Sequence, residues 1–247
     1  MKMNVVAYYR KHDNFSRYLT TNKARVKEFS QLYASNKPYF GHRVLDLACG
    51  GGVLGFILEQ HGHVYTGVDI NPDMISSARR HAEEVRSRNR FIKADITRLM
   101  IEGKYVTICM LGNALCHFST HDLAKIIQRI NSHCEKGAYF IVDYRDIILQ
   151  MYNKQWNAGR TLIMKDRGRL SVTKGCDTRT GFVQALTSDL HGEDKVGLAH
   201  ALWSPFIISV IMNERGWSLT RRRFWKKRSA WLDVYRRIRF PRTMNRP

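Results

Sequence analysis

Between Arg43 and Asp69 the chain reads strand, glycine turn, helix, strand, acid, and few folds accommodate that order. Arg43-Val-Leu-Asp-Leu47 is a short apolar run of the kind that forms a buried parallel strand. It breaks at once into Cys49-Gly-Gly-Gly52 and then into a helical stretch from Val53 to about His61. Gly50 and Gly52 let backbone approach a ligand closely, and the helix behind them presents unpaired N–H groups. A second strand, Val64–Val68, ends in Asp69, 23 residues after Asp46. A carboxylate there suits the two hydroxyls of a ribose.

The alternation continues down the chain. Thr21 to Tyr33 has helical spacing, with Val26, Phe29 and Leu32–Tyr33 on one side. Pro72, behind Asn71, opens a helix to about Arg86. Arg90–Lys93, Tyr105–Leu111 and Gly137–Val142 read as strands, and Asp122–Ile130 as a helix capped by Ser119-Thr120. Strands alternating with helices predict a parallel sheet covered on both faces. After Asp143 the pattern changes. About Arg160 to Trp203 reads as short strands with turns at Gly168, Gly175, Gly181 and Gly192. A helix from Ser204-Pro205 to about Arg215 follows, then an antiparallel hairpin of Trp217–Trp225 and Ala230–Ile238 joined by Lys226-Lys-Arg-Ser229.

Two cofactors compete for the glycine turn. Gly50-x-Gly52-x-x-Gly55 matches the dinucleotide fingerprint and so points to NAD. Asp46, however, would set a negative charge beside a pyrophosphate, whereas it suits a cationic amino acid moiety. A single nucleotide-binding half followed by an antiparallel ending also departs from the two halves of a dinucleotide fold. The balance favours S-adenosyl-L-methionine.

From about Arg25 to Ile238 the sequence resembles the class I S-adenosylmethionine-dependent methyltransferases, in particular the glycine N-methyltransferase-like and amino-sugar N-methyltransferase-like small-molecule enzymes. Val44-Leu-Asp-Leu-Ala-Cys-Gly-Gly-Gly52 is similar to their first motif, with Ala48 where many members have Gly. Gly67-Val-Asp-Ile-Asn-Pro-Asp-Met-Ile75 and Phe91-Ile-Lys-Ala-Asp-Ile96 are similar to the segments that follow. Met110-Leu-Gly-Asn-Ala-Leu-Cys-His-Phe118 resembles the loop of the N-methyltransferase groups. The resemblance implies a Rossmann-like α/β fold: a seven-stranded, mostly parallel methyltransferase sheet with an antiparallel C-terminal hairpin and a β-rich lid. It implies cofactor contacts from Arg25 (the carboxylate), Asp46, Ala48, Gly50, Gly52, Asp69, Ile70, Met74, Asp95 (the adenine amino group), Ile96 and Met110. The expected division is a helical cap over 1–40, a cofactor domain over 41–157 and 204–240, a lid over 158–203, and a basic tail over 241–247.

Methyl transfer is an in-line displacement whose reactivity resides in the cofactor, so the protein mainly aligns the nucleophile and excludes water. Candidates beside the methyl are Asn113, His117 and Tyr9, with Tyr8, Asp143 and Tyr144 behind them. Each has a plainer role: His117 can close a loop or cap a helix, Asp143 can cap, and the tyrosines can pack. Neither an Asn-Pro-Pro-Tyr nor a Pro-Cys follows the fourth strand, which disfavours nucleobase amino and cytosine C5 chemistry; no metal is expected.

Composition bounds the partners. The chain has 247 residues, with 41 Lys+Arg against 21 Asp+Glu, a formal charge of +20. Arg215–Pro247 alone holds twelve of the basic residues and one acid, Asp233. Such an excess suits nucleic acid, an acidic surface or an anionic substrate, and equally a solvated edge strand. Aromatic residues interleaved with Arg221–Arg223 and Lys226–Arg228 admit an RNA surface, although Phe224, Trp225, Trp231 and Tyr235 packing on the sheet with cations in water is the stronger expectation. The five cysteines form no C-x-x-C pair, and neither a membrane span nor a secretory signal is read. The expectation is a cytoplasmic enzyme methylating a small molecule at nitrogen, with no membrane partner. An RNA methyltransferase and a non-catalytic cofactor-binding regulator are the alternatives.

Overall fold

The computed structural model describes Val6, Tyr9 and residues 19–153, 162–164, 169–189, 196–225 and 229–238. The strands are β1 (Arg43–Leu47), β2 (Val64–Asp69), β3 (Arg90–Lys93), β4 (Tyr105–Met110), β5 (Cys134–Arg145), β6 (Leu162–Met164), β7 (Arg169–Asp177), β8 (Phe182–Asp189), β9 (Val196–Ala201), β10 (Trp217–Trp225) and β11 (Ala230–Arg237). The helices are α1 (Lys23–Asn36), α2 (Val53–Glu59), α3 (Pro72–Glu84), α4 (Thr120–Asn131), α5 (Ile147–Tyr152) and α6 (Pro205–Glu214).

Seven strands form one sheet in the order β10-β11-β5-β4-β1-β2-β3. β11 runs antiparallel to both of its neighbours, and the pairs β5-β4, β4-β1, β1-β2 and β2-β3 are parallel. Side-chain alternation sends the central strands' residues into two cores. Leu45, Leu47, Ile108, Met110, Phe140 and Val142 share one cluster with Ile126, Ile130, Ile208 and Met212 of α4 and α6. Val44, Cys109, Ile141 and Val234 share the other with Phe29, Leu54, Leu58 and Ile75 of α1 to α3. Both faces are therefore buried, as parallel strands require. A full capping box of Ser119 and Asp122 starts α4, and Asn71 caps α3 ahead of Pro72.

The differences from expectation have local causes. β5 starts at Cys134 rather than Gly137, because its pairing with β4 shifts register between Tyr105 and Thr107 and absorbs the extra residues. α5 was not foreseen; six residues are too few for a helical period to register. Nor do all the C-terminal cations face water. Arg222 turns inward and grips Asp233 with two bonds of 2.8 and 2.7 Å, while Tyr144 and Tyr235 donate to the same carboxylate at 2.8 and 2.9 Å. Arg237 is buried beside the Trp217 ring. The expectations for Tyr8, Gly168, Gly192, Lys226–Arg228 and the tail over 241–247 lie outside the described residues.

β6-β7-β8-β9 form a separate antiparallel sheet inserted between α5 and α6. Its exit is pinned to the main domain. Trp203 Nε1 donates to the carbonyls of Leu115 and Phe118 at 2.9 and 3.2 Å, which fixes the insertion against the turn that carries His117.

Candidate functional site

The strand order reverses at β1 and β4, the point where open α/β sheets bind ligands. A cavity of about 250 Å³ lies there, lined from β1, the glycine turn, the ends of β2 and β3, the loop after β4, and α1.

The glycine turn is held from the second strand. Ala48, Gly50 and Gly52 have φ of 60°, 56° and 76°, so the backbone rolls through the left-handed region before α2 begins. Gly50 N donates to Asp69 Oδ2 at 2.8 Å, and Asn71 N to Asp69 Oδ1 at 2.8 Å. Each carboxylate oxygen keeps a further lone pair for a ligand hydroxyl. Burial raises the Asp69 carboxyl above its usual range, and the amide bonds pull it partly back. A methyl at Gly52 would lie 2.3 Å from the Phe91 ring, so packing requires a glycine there.

Asp46 stands at the end of β1 with Tyr65 donating to its Oδ2 at 2.8 Å. Burial pushes its pKa up to about 7; Tyr65 and Arg25 oppose the rise, and Asp69 and Asp143 add to it. Arg25 comes from α1. Its guanidinium lies 4.3 Å over Phe29 and so close to Gly112 that a methyl there would meet Nη2 at 2.3 Å. Asp95 accepts from Thr97 N and Oγ1 at 2.8 and 2.7 Å, which sets Ile96 in the wall.

At the other end, Tyr9 and His117 meet, hydroxyl to Nε2, at 3.0 Å. The His200 ring, on β9, is 6.3 Å from that of His117. Both imidazoles are driven down to about 4, chiefly by burial, with His200 acting on His117 and Arg145 on His200. His117 Nδ1 is buried and has no partner among the described residues.

Of the residues expected from sequence, Tyr9, Arg25, Asp46, Ala48, Gly50, Asp69, Ile70, Met74, Asp95, Ile96 and His117 all line this one cavity. Gly52, Met110 and Asn113 do not. Met110 is fully buried in the core. Asn113, at φ 62°, ties the β4 turn to β5: its N donates to Asp143 Oδ1 at 2.9 Å and its Oδ1 accepts from Arg145 N at 3.0 Å. Asp143 thus braces a loop and does not cap a helix. Sequence reasoning missed Val6, Phe29, Asn71, Leu111 and Phe118 in the lining, and His200 beside it. Asn71 was legible as the α3 cap next to Asp69; His200 carries no local signal.

This fold and this site define the class I methyltransferase architecture. Residues 44–137 match the family model of the methyltransferase domain. The ubiquinone biosynthesis O-methyltransferase of Coxiella burnetii (strain Dugway 5J108-111) is 48% identical over 96 residues, 39% of each chain. The chain thus spans about two fifths of the length of the curated relatives it matches most extensively. The crystal structure of the PH0226 protein from Pyrococcus horikoshii OT3 superposes with a TM-score of 0.73 at 21% identity, covering 94% of this chain and 98% of that one. The sugar N-methyltransferase KedS8 from Streptoalloteichus sp ATCC 53650 gives 0.61 at 17% identity, covering 92% of each.

Proposed function

We propose that the chain is an S-adenosylmethionine-dependent methyltransferase acting on a small molecule at nitrogen. The observation that carries this reading is convergence: the glycine turn, Asp69, Asp95, Arg25 and Asp46, read from four separate sequence segments, wall a single cavity. The donor set fits the cofactor. Arg25 suits its carboxylate, Asp46 its ammonium, Asp69 the ribose hydroxyls, and Asp95 with Ile96 the adenine. When bound, the cofactor supplies a sulfonium methyl as the electrophile.

The chain's own residues then hold an acceptor at the Tyr9–His117 end and exclude water from it. The choice of nitrogen rests on His117. An imidazole held near pKa 4 is a weak base, so it suits an acceptor whose lone pair is already free, such as a neutral amine, better than a hydroxyl that must first surrender a proton. The named activity of KedS8 lies on the nitrogen side, and that of the Coxiella relative on the oxygen side.

Calorimetry with S-adenosylhomocysteine tests cofactor binding. Asp69→Ala should weaken affinity by roughly 1.5–3 kcal/mol, the scale of hydrogen bonds to a charged group. Wild-type protein that binds NADH and ignores S-adenosylhomocysteine would refute the reading. Labelled cofactor offered with separate pools of amines, phenols and RNA then decides the acceptor; stoichiometric label in phenols or RNA alone would overturn the nitrogen assignment.

A further inference from the structure

Gly55 is the one glycine of Gly50-x-Gly52-x-x-Gly55 that neither the turn nor the cavity uses. It lies inside α2, and Gly67 lies inside β2. Neither has left-handed backbone, so conformation does not require a glycine at either place. Space does. A methyl on Gly55 would lie 2.5 Å from Tyr65 Cε1 and 2.6 Å from Tyr65 Cδ1. One on Gly67 would lie 2.9 Å from Tyr65 Oη and 2.8 Å from Cys49 Sγ. The Tyr65 side chain is 1% exposed and packs against Phe91, with ring centroids 5.9 Å apart, so it has no room to swing aside. The two glycines hold open the slot that Tyr65 fills.

An aliphatic side chain would fill a slot in this core without a polar atom to satisfy. Tyrosine brings a hydroxyl, and a buried hydroxyl needs a partner. That partner is Asp46, whose Oδ2 accepts from Tyr65 Oη at 2.8 Å. Burial, with the Asp46 charge beside it, raises the Tyr65 phenol well above its usual range, so it keeps its proton and donates. Asp46 lines the cavity and Tyr65 does not, so Oδ2 is held from behind the wall. Oδ1 has no hydrogen-bond partner among the described residues. The terminal torsion of an aspartate is broad, and a bond to one oxygen is what fixes where the other stands.

We propose that Tyr65 is a positioning residue for the amino acid moiety of the cofactor: its hydroxyl fixes Asp46 so that Oδ1 meets the ammonium. The proposal rests on the methyltransferase reading and gives Gly55 and Gly67 a part in ligand geometry. The other groups around Asp46 are Asp69 on β2, Arg25 on α1, Asp143 on β5, Cys109 on β4 and Cys49 in the turn. Among the described residues none of these donates a hydrogen bond to its carboxylate, so none duplicates the Tyr65 bond.

Calorimetry of the full chain at pH 7.5 with two ligands tests this. S-Adenosylhomocysteine carries the amino acid moiety; 5′-methylthioadenosine keeps the adenosine and lacks that moiety. Tyr65→Phe keeps the ring in its slot and should weaken S-adenosylhomocysteine by about tenfold, the scale of one hydrogen bond to a charged group. The same variant should change 5′-methylthioadenosine affinity by less than about twofold, which also shows that its adenosine site is folded. In an Asp46→Asn background, Tyr65→Phe should change S-adenosylhomocysteine affinity by less than about twofold, because the hydroxyl acts through the carboxylate. Equal losses for the two ligands, or wild-type affinity for S-adenosylhomocysteine in Tyr65→Phe, would overturn the proposal. So would an undiminished effect of Tyr65→Phe in the Asp46→Asn background. Wild-type protein that binds neither ligand would strike the methyltransferase reading itself, and the proposal with it.

Discussion

Asp46 is the group whose protonation should govern ligand binding near neutral pH. It is 3% exposed, and its pKa rises from 3.8 in the unfolded chain to about 7. A ligand ammonium needs the carboxylate, so binding must expel the proton whenever one is present. With a midpoint at 7, the ionised fraction grows about 25-fold between pH 5.5 and 7.5, and affinity for S-adenosylhomocysteine should rise by that factor, roughly 1.9 kcal/mol. The sign for folding is opposite. A carboxyl whose folded pKa is raised gives stability that is full below the unfolded value and lost as pH rises through about 7, so the ligand-free protein should lose stability from this group over the range where binding improves. Calorimetry in two buffers of different ionisation enthalpy reads both the affinity and the proton released. Asp46→Asn should flatten the pH profile and lower affinity at pH 7.5. Tyr65→Phe, which removes a bond that favours the ionised form, should move the midpoint upward. An affinity constant from pH 5.5 to 7.5, retained in Asp46→Asn, would refute the pairing of Asp46 with a cation.

Two further outcomes follow from the geometry. Gly52→Ala forces a side chain into left-handed backbone and against the Phe91 ring, so it should cost at least ~2 kcal/mol and lower the melting temperature by about 4–8 °C in a scan of the ligand-free protein. His117 and His200, held down to about 4, give stability that is present above the unfolded pKa of 6.5 and lost as pH falls toward 4. Each should contribute about 2 kcal/mol of destabilisation at pH 5. Urea midpoints for wild type and His117→Gln at pH 7 and 5 check this; between these pH values the wild type should lose about 2 kcal/mol more than the variant, the opposite contribution of Asp46 being common to both.

The legible part of the site was the part written in consecutive residues. Asp46 to Gly52, Asp69 to Met74, and Asp95–Ile96 each sit at a strand end, and the βαβ period alone brings such ends together. The parallel sheet was legible for the same reason, since strands alternating with helices must be joined by crossovers. Asn113 misled because its side chain braces the backbone: an asparagine at positive φ reads alike whether it faces ligand or chain. His200 was illegible because only the insertion's return through Trp203 carries it to His117, and no spacing in the chain encodes that contact. The pair of Arg222 with the buried Asp233 hid among twelve basic residues whose composition suggests solvent or phosphate.

This division has a consequence for how the two halves of the cavity acquire their chemistry. The matched methyltransferase domain, residues 44–137, supplies Asp46, Asp69, Asp95 and the glycine turn. It also reaches His117, but two groups beside His117 come from outside it: Tyr9 from the N-terminal segment and His200 from β9, on which Arg145 at the end of β5 acts in turn. An imidazole lacking those two neighbours would be less desolvated and more basic, and so better able to take a proton from a hydroxyl. On the nitrogen reading proposed above, the groups that tune His117 come from the insertion and the N-terminal segment.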